Sequence, residues 1–148
     1  MSAADDTTAI SNLIAKYAEL VDDGDFAGVG ALFASGVFKG GGASVTGSAD
    51  IEKMLRGMVI RYEDGTPRTH HVTTNTAIEF DAGDATAVAR SYFTVFQALP
   101  GLPLQAVVAG RYRDRFERVE GQWRFAEREV QIRLTGELSG HLRASAGE

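Results

Sequence analysis

The sequence contains no cysteine. Disulfide frameworks, thiolate zinc sites and a cysteine nucleophile are excluded with it. Positive charge is also in deficit: 15 Lys and Arg stand against 20 Asp and Glu, a net charge of -5 and a pI near 5.2. A nucleic-acid binder would usually carry a basic patch or stripe. The arginines that do gather, Arg111, Arg113, Arg115 and Arg118, are interspersed with apolar residues and with Asp114 and Glu117. A cross-paired strand surface accounts for that pattern better than a phosphate track. No apolar run approaches the roughly 20 residues of a membrane-spanning helix, and the start, Met1 to Thr8, is polar and acidic rather than leader-like. A cytoplasmic protein with neither membrane nor nucleic-acid partners is expected. The Gly40-Gly41-Gly42 run lacks the Gly-Lys-Ser/Thr ending of a phosphate loop, and no Gly-x-Ser-x-Gly elbow is present.

What remains is the material of one globular domain. The chain has 148 residues, 44% hydrophobic and 24% charged, enough to bury a sizeable core. Ile10, Leu13, Ile14, Tyr17, Leu20 and Val21 fall on one stripe of period 3.6 and predict a helix over 6–23. Gly24 stops it, and Asp25 caps a short second helix carrying Phe26, Val29, Leu32 and Phe33. Residues 37–47 read as two short strands around a glycine-rich loop. A third helix, with Ile51, Met54, Leu55, Met58 and Val59 inward, runs to about Tyr62. From Arg68 the period becomes two, and four long strands are expected over 68–81, 84–98, 104–119 and 122–136. Hairpins between them imply antiparallel pairing. The fold class is therefore α+β: about three N-terminal helices closing a cone-shaped, curved antiparallel sheet around a pocket. Gly110 marks a bend or bulge within its strand. The core spans about 6–136, and the tail from about 139 to 148 is expected to be loosely ordered.

The order of several short motifs carries a resemblance. These are Tyr17-x4-Asp22-x-Gly24-Asp25, Leu32-Phe33, Arg68-Thr69-His70-His71-x3-Asn75, Gly110-Arg111-Tyr112-x-Asp114 and Gly121-x-Trp123-Arg124-Phe125-Ala126-Glu127-Arg128. Across about residues 6–136 the chain resembles the SnoaL-like branch of the nuclear transport factor 2-like superfamily. That superfamily holds scytalone dehydratase, bile-acid dehydratase, ketosteroid isomerase, limonene epoxide hydrolase and polyketide cyclases, together with non-catalytic dioxygenase subunits, so the fold does not settle function. The resemblance implies a small hydrophobic ligand, a homodimer through the sheet, and no metal or organic cofactor. It places Tyr17, Asp22 and His71 where the dehydratase branches carry catalytic residues. The relatives carry a further His or Asp on the second long strand, where this chain has Thr94 and Phe96.

Those residue types make chemical sense together. A His–Asp pair can take a C–H proton beside a carbonyl or protonate a leaving hydroxyl, with the carboxylate orienting the ring. A tyrosine hydroxyl can polarise a substrate oxygen. Each has a plainer alternative. Tyr17 lies on the apolar stripe and suits a core tyrosine, and Asp22 suits a solvated turn. His70 and His71 point to opposite faces of a regular strand, which also argues against their sharing a metal ion. The Thr-x-His and His-x3-Asn spacings favour His71 as the inward ring, whereas the shared apolar face with Val72, Ile78 and Phe80 favours His70. Asn75, Thr94, Phe96, Arg111 and Arg128 are candidate substrate contacts, the two arginines being alternatively ion-pair partners of Glu117, Glu127 or Glu129. The leading expectation is a cofactor-independent lyase, isomerase or cyclase using His–Asp acid–base chemistry on a small hydrophobic carbonyl or polycyclic substrate. The alternatives are a non-catalytic module for a small apolar ligand and a structural subunit of an oxygenase-like assembly.

Overall fold

The structure, a computed structural model, describes residues 2–143. Helix α1 spans Ala3–Asp22, earlier than the apolar stripe alone suggests. The reason is a reciprocal cap: the Ser2 hydroxyl accepts the Asp5 N–H, and the Asp5 carboxylate accepts the Ser2 N–H. Its buried stripe is Ile10, Ile14, Tyr17 and Val21. Gly24 turns the chain with φ +75°, and a Cβ there would lie 2.0 Å from the Gly65 carbonyl oxygen, so only glycine fits. Asp25 caps α2 (Phe26–Phe33) by accepting the Gly28 N–H at 2.8 Å. Strands β1 (Val37–Gly40) and β2 (Ala43–Thr46) form a hairpin before α3 (Ser48–Met58).

Four long strands follow: β3 (Thr69–Phe80), β4 (Thr86–Leu99), β5 (Leu102–Val119) and β6 (Gln122–Thr135). The six strands form one curved, unclosed sheet in the order β2-β1-β6-β5-β4-β3. The long strands pair antiparallel as the hairpin turns require. One ladder differs from the expected all-antiparallel sheet: β1 runs parallel to β6, so the sheet is mixed. β1 and β6 are separated along the chain by β2, α3 and three long strands, so no hairpin turn holds them antiparallel.

Register shifts bend the sheet, between Thr74 and Ala77 in β3, between Val95 and Phe96 in β4, and between Ala109 and Gly110 in β5. Gly110 sits at one of them, where a Cβ would meet the Gln131 carbonyl oxygen at 2.1 Å. The inner face carries Ala87, Ala89, Phe93, Val95, Val108, Tyr112, Phe116 and Phe125, buried against the stripes of the three helices.

Two boundaries depart from expectation. Helix α3 ends at Met58 because Val59 turns extended (φ -91°, ψ 129°) and bridges Leu142. The tail is correspondingly not loose over 139–143. The Ile60 N–H donates to the His141 carbonyl and the Arg143 N–H to the Met58 carbonyl, both at 2.9 Å. The Arg143 guanidinium reaches the carbonyls of Arg56, Gly57 and Val59, groups a helix end leaves unpaired. Residues 144–148 of the expected tail lie outside the described residues.

Candidate active site

Asp22 is the last residue of α1, and the start of β3 passes beside it. A carboxylate at a helix C-terminus faces the negative end of the helix dipole, and no basic residue occupies the last turn. Donors from β3 compensate. Oδ1 accepts the Thr69 hydroxyl at 2.9 Å and lies 2.6 Å from His71 Nδ1, while Oδ2 accepts the His71 backbone N–H at 2.8 Å. Burial works against the charged form of Asp22, but the His71 ring, its charge, its backbone N–H and Thr69 outweigh it and lower the pKa. Asp22 is therefore an anion, and an anionic partner at Nδ1 requires the hydrogen there. In neutral His71 the free lone pair is then on Nε2.

The sheet register decides between the two histidines. His71 pairs with Val95 and Thr73 with Phe93, so His71 belongs to the inner row, with a side chain 7% exposed. His70 pairs with Phe96 on the opposite face and is exposed. The apolar face that His70 was expected to share does not extend that far, because the register shift after Thr74 returns Ile78 and Phe80 to the inner row without it.

Tyr17 lies deeper, in a polar knot within the aromatic core. Its ring is 5.9 Å from that of Tyr112 and 4.3 Å from the guanidinium carbon of Arg128. Arg128 is fully buried and binds Asp114 in a two-pronged pair, Nε–Oδ1 at 2.8 Å and Nη2–Oδ2 at 2.9 Å. Its partner is thus Asp114 and none of Glu117, Glu127 or Glu129. Burial alone would favour a neutral guanidinium, yet Asp114 holds it charged. Arg128 Nη1 has no partner among the described residues. Burial raises the pKa of the Tyr17 hydroxyl against the opposing charge of Arg128, so it remains a hydrogen-bond donor. Tyr17 and Asp22 lie on the same helix, α1, five residues apart.

The other candidate contacts do not converge there. Thr94 pairs with Val72 and Phe96 with His70, on the outer face. Arg111 lies opposite Tyr92 and stacks on that ring at 4.7 Å, again outside. Asn75 occupies the β3 bulge with φ +54°, which breaks the alternation that would have aligned it with His71. Asn75, Tyr92 and Arg111 instead line an outer cleft of about 430 Å³ with Arg90 and Arg113.

One residue escaped the reading of the sequence. His141, in the supposedly loose tail, is 4% exposed, and its ring centroid lies 5.9 Å from that of His71, edge to face. Burial, then the charge of His71, lowers its pKa to about 4. The signal available was Leu138 and Leu142 flanking the histidine, apolar residues that a solvated tail would not need. Among the described residues no group of three or more His, Asp or Glu is arranged to hold a metal ion.

This architecture and dyad can be set against known proteins. The SnoaL-like domain profile matches residues 2–129. The chain belongs to the SnoaL-like domain family. Solved structures agree on the nuclear transport factor 2-like, cystatin-like fold. The SnoaL-like chain is similar to a Mycobacterium tuberculosis protein of unknown function, at 25% identity and a TM-score of 0.72 over 86% of this chain and 76% of the other. It is similar to a nuclear transport factor 2-like protein of Novosphingobium aromaticivorans, at 24% identity and a TM-score of 0.73 over 97% and 86%. A further protein of that organism, proposed to be a scytalone dehydratase, matches at 24% identity and a TM-score of 0.73 over 90% and 88%. No curated protein matches the SnoaL-like chain. Among its described residues no helix is long and apolar enough to cross a membrane.

Proposed function

We propose that the protein is a cofactor-independent lyase, isomerase or cyclase that moves a proton on a small hydrophobic carbonyl compound. The observation that carries this is the 2.6 Å contact between His71 Nδ1 and Asp22 Oδ1, secured by two further donors to the same carboxylate. With Nδ1–H directed at Asp22, Nε2 of His71 is the base. It takes a proton from a carbon beside the carbonyl, and the C–H electron pair becomes the C=C bond of an enolate. The imidazolium so formed faces Asp22, which stabilises it. Tyr17 is assigned the donor role toward the developing oxyanion. The proton then returns to a different carbon, an isomerisation, or goes to a departing hydroxyl, which leaves as water. The similarity to a protein proposed to be a scytalone dehydratase fits a reaction of this kind.

A second reading, a module that binds an apolar ligand without turnover, is favoured by the outward direction of Thr94 and Phe96 on β4. Deuterium exchange separates the two. In D2O the protein is expected to accelerate exchange at the α-carbons of cyclic ketones such as 2-tetralone, and His71→Ala to lower that rate by roughly 10²–10⁴. Exchange as fast in His71→Ala as in the wild type would remove the catalytic reading. Binding of the ketone without exchange in either protein would establish the second.

A further inference from the structure

His141 reaches the site by a route independent of the helices and of the long strands. It follows β6 on a strap, Leu138–Arg143, that folds back over the α3–β3 connection. The Gly140 carbonyl accepts both the Gln97 side-chain amide, at 3.0 Å, and the Tyr62 hydroxyl. Gln97 also donates to the Pro67 carbonyl at 3.0 Å, so its orientation is set from two sides. A Cβ on Gly140 would crowd Leu99 at 2.7 Å, so the strap is closely seated just before the histidine. These contacts fix the backbone of the strap and leave the imidazole itself unanchored. His141 Nδ1 is sealed from solvent and has no partner among the described residues. A buried polar atom without a partner calls for an explanation, and a missing ligand group is one of the few available.

We infer that His141 is a ligand-contacting residue of the same site, recognising a hydroxyl group on the molecule whose C–H faces His71. This rests on the His71–Asp22 reading and narrows the substrate class to hydroxy-carbonyl compounds. The chemistry of the surroundings selects a hydroxyl. A neutral imidazole nitrogen can either accept from or donate to an O–H group. A carboxylate ligand would meet the charge of Asp22, and a second cation would meet imidazolium His71 during turnover. The low basicity of His141 agrees with the assignment, because the ring stays neutral when His71 is protonated. With ring centroids 5.9 Å apart, the two imidazoles can engage atoms a few bonds apart on one small molecule. Since Nδ1 is sealed while the strap backbone is held, engagement of the hydroxyl requires the unanchored imidazole to turn toward it.

The probes are cyclohexanone and 3-hydroxycyclohexanone, which differ by the hydroxyl alone. Binding to the full chain is followed by NMR with 15N-labelled histidine. The hydroxyketone is expected to bind at least about five-fold tighter than the ketone, and to move the Nδ1 resonance of His141, by the cost of leaving a polar group unpaired. His141→Phe should erase that preference while the ketone still binds. His141→Asn, which keeps a polar atom near the Nδ1 position, should retain part of it. A preference unchanged in His141→Phe, or a His141 resonance that ignores the hydroxyketone while that of His71 responds, would overturn the role of His141 alone. The wild-type resonances decide even if His141→Phe fails to fold. Absence of any response at His71 to either probe would overturn the dyad reading together with this one.

Discussion

Asp22 and Asp114 are both acidic residues in an apolar interior, and their surroundings give them different work. Asp22 is partly exposed and holds a ring that can gain and lose a proton. Asp114 is fully buried and holds a guanidinium that cannot. Asp22 was legible through the family resemblance that the Tyr17-x4-Asp22-x-Gly24-Asp25 motif carries. The Asp114–Arg128 pair was not, because strand residues 14 positions apart meet only through the β5–β6 register. Removing one member of a fully buried pair leaves the other charge uncompensated. Asp114→Ala should therefore lower stability by roughly 3–5 kcal/mol, read as a fall in the urea midpoint. Breaking the exposed Arg90–Glu79 pair should barely move it.

The C-terminal strap is the element that sequence periodicity treats worst. It is too short for a 3.6 or 2.0 repeat to show, and its hold on the body combines two backbone hydrogen bonds with bonds from the side chains of Tyr62, Gln97 and Arg143 to main-chain carbonyls, pairings that no local spacing announces. Its histidine nevertheless carries a pH signature. Folding keeps His141 neutral, with its pKa lowered from 6.5 to about 4 by burial and by His71. The unfolded chain therefore binds the extra proton between those values. The resulting stability is complete above about pH 6.5 and is lost as pH falls toward 4, by roughly 3 kcal/mol in all. Asp22, whose folded pKa is depressed, adds a separate loss at lower pH, below its unfolded value of 3.8. Urea unfolding across pH 4–7 should show the first loss in the wild type and lack it in His141→Phe.

At the scale of the whole molecule, the curved sheet divides the chain into two unlike faces. The inner face holds the dyad and the aromatic knot. The outer face presents Tyr92, Thr94, Phe96, Ala109 and Leu134 in adjoining positions, with Tyr92 43% and Leu134 71% exposed. Pairing of two copies through that face would remove this apolar surface from water. Sedimentation at micromolar concentration is expected to give about twice the 15.8 kDa chain mass, and Leu134→Glu to return it to the monomer. A monomeric wild type under those conditions would show that the outer face stays open.

Composition and periodicity were sufficient for the fold class, because burying a 3.6-residue stripe or an alternating strand leaves its mark on consecutive residues. They did not name the site: Tyr17, Asp22 and His71 were singled out by the family resemblance that the order of the short motifs carries. The choice of His71, the outward turn of Asn75, Thr94, Phe96 and Arg111, the partner of Arg128 and the arrival of His141 were decided only in three dimensions. Each depends on register, bulges or chain reversal. A shift of one residue in any of these exchanges the two faces of a strand while leaving its local pattern unchanged.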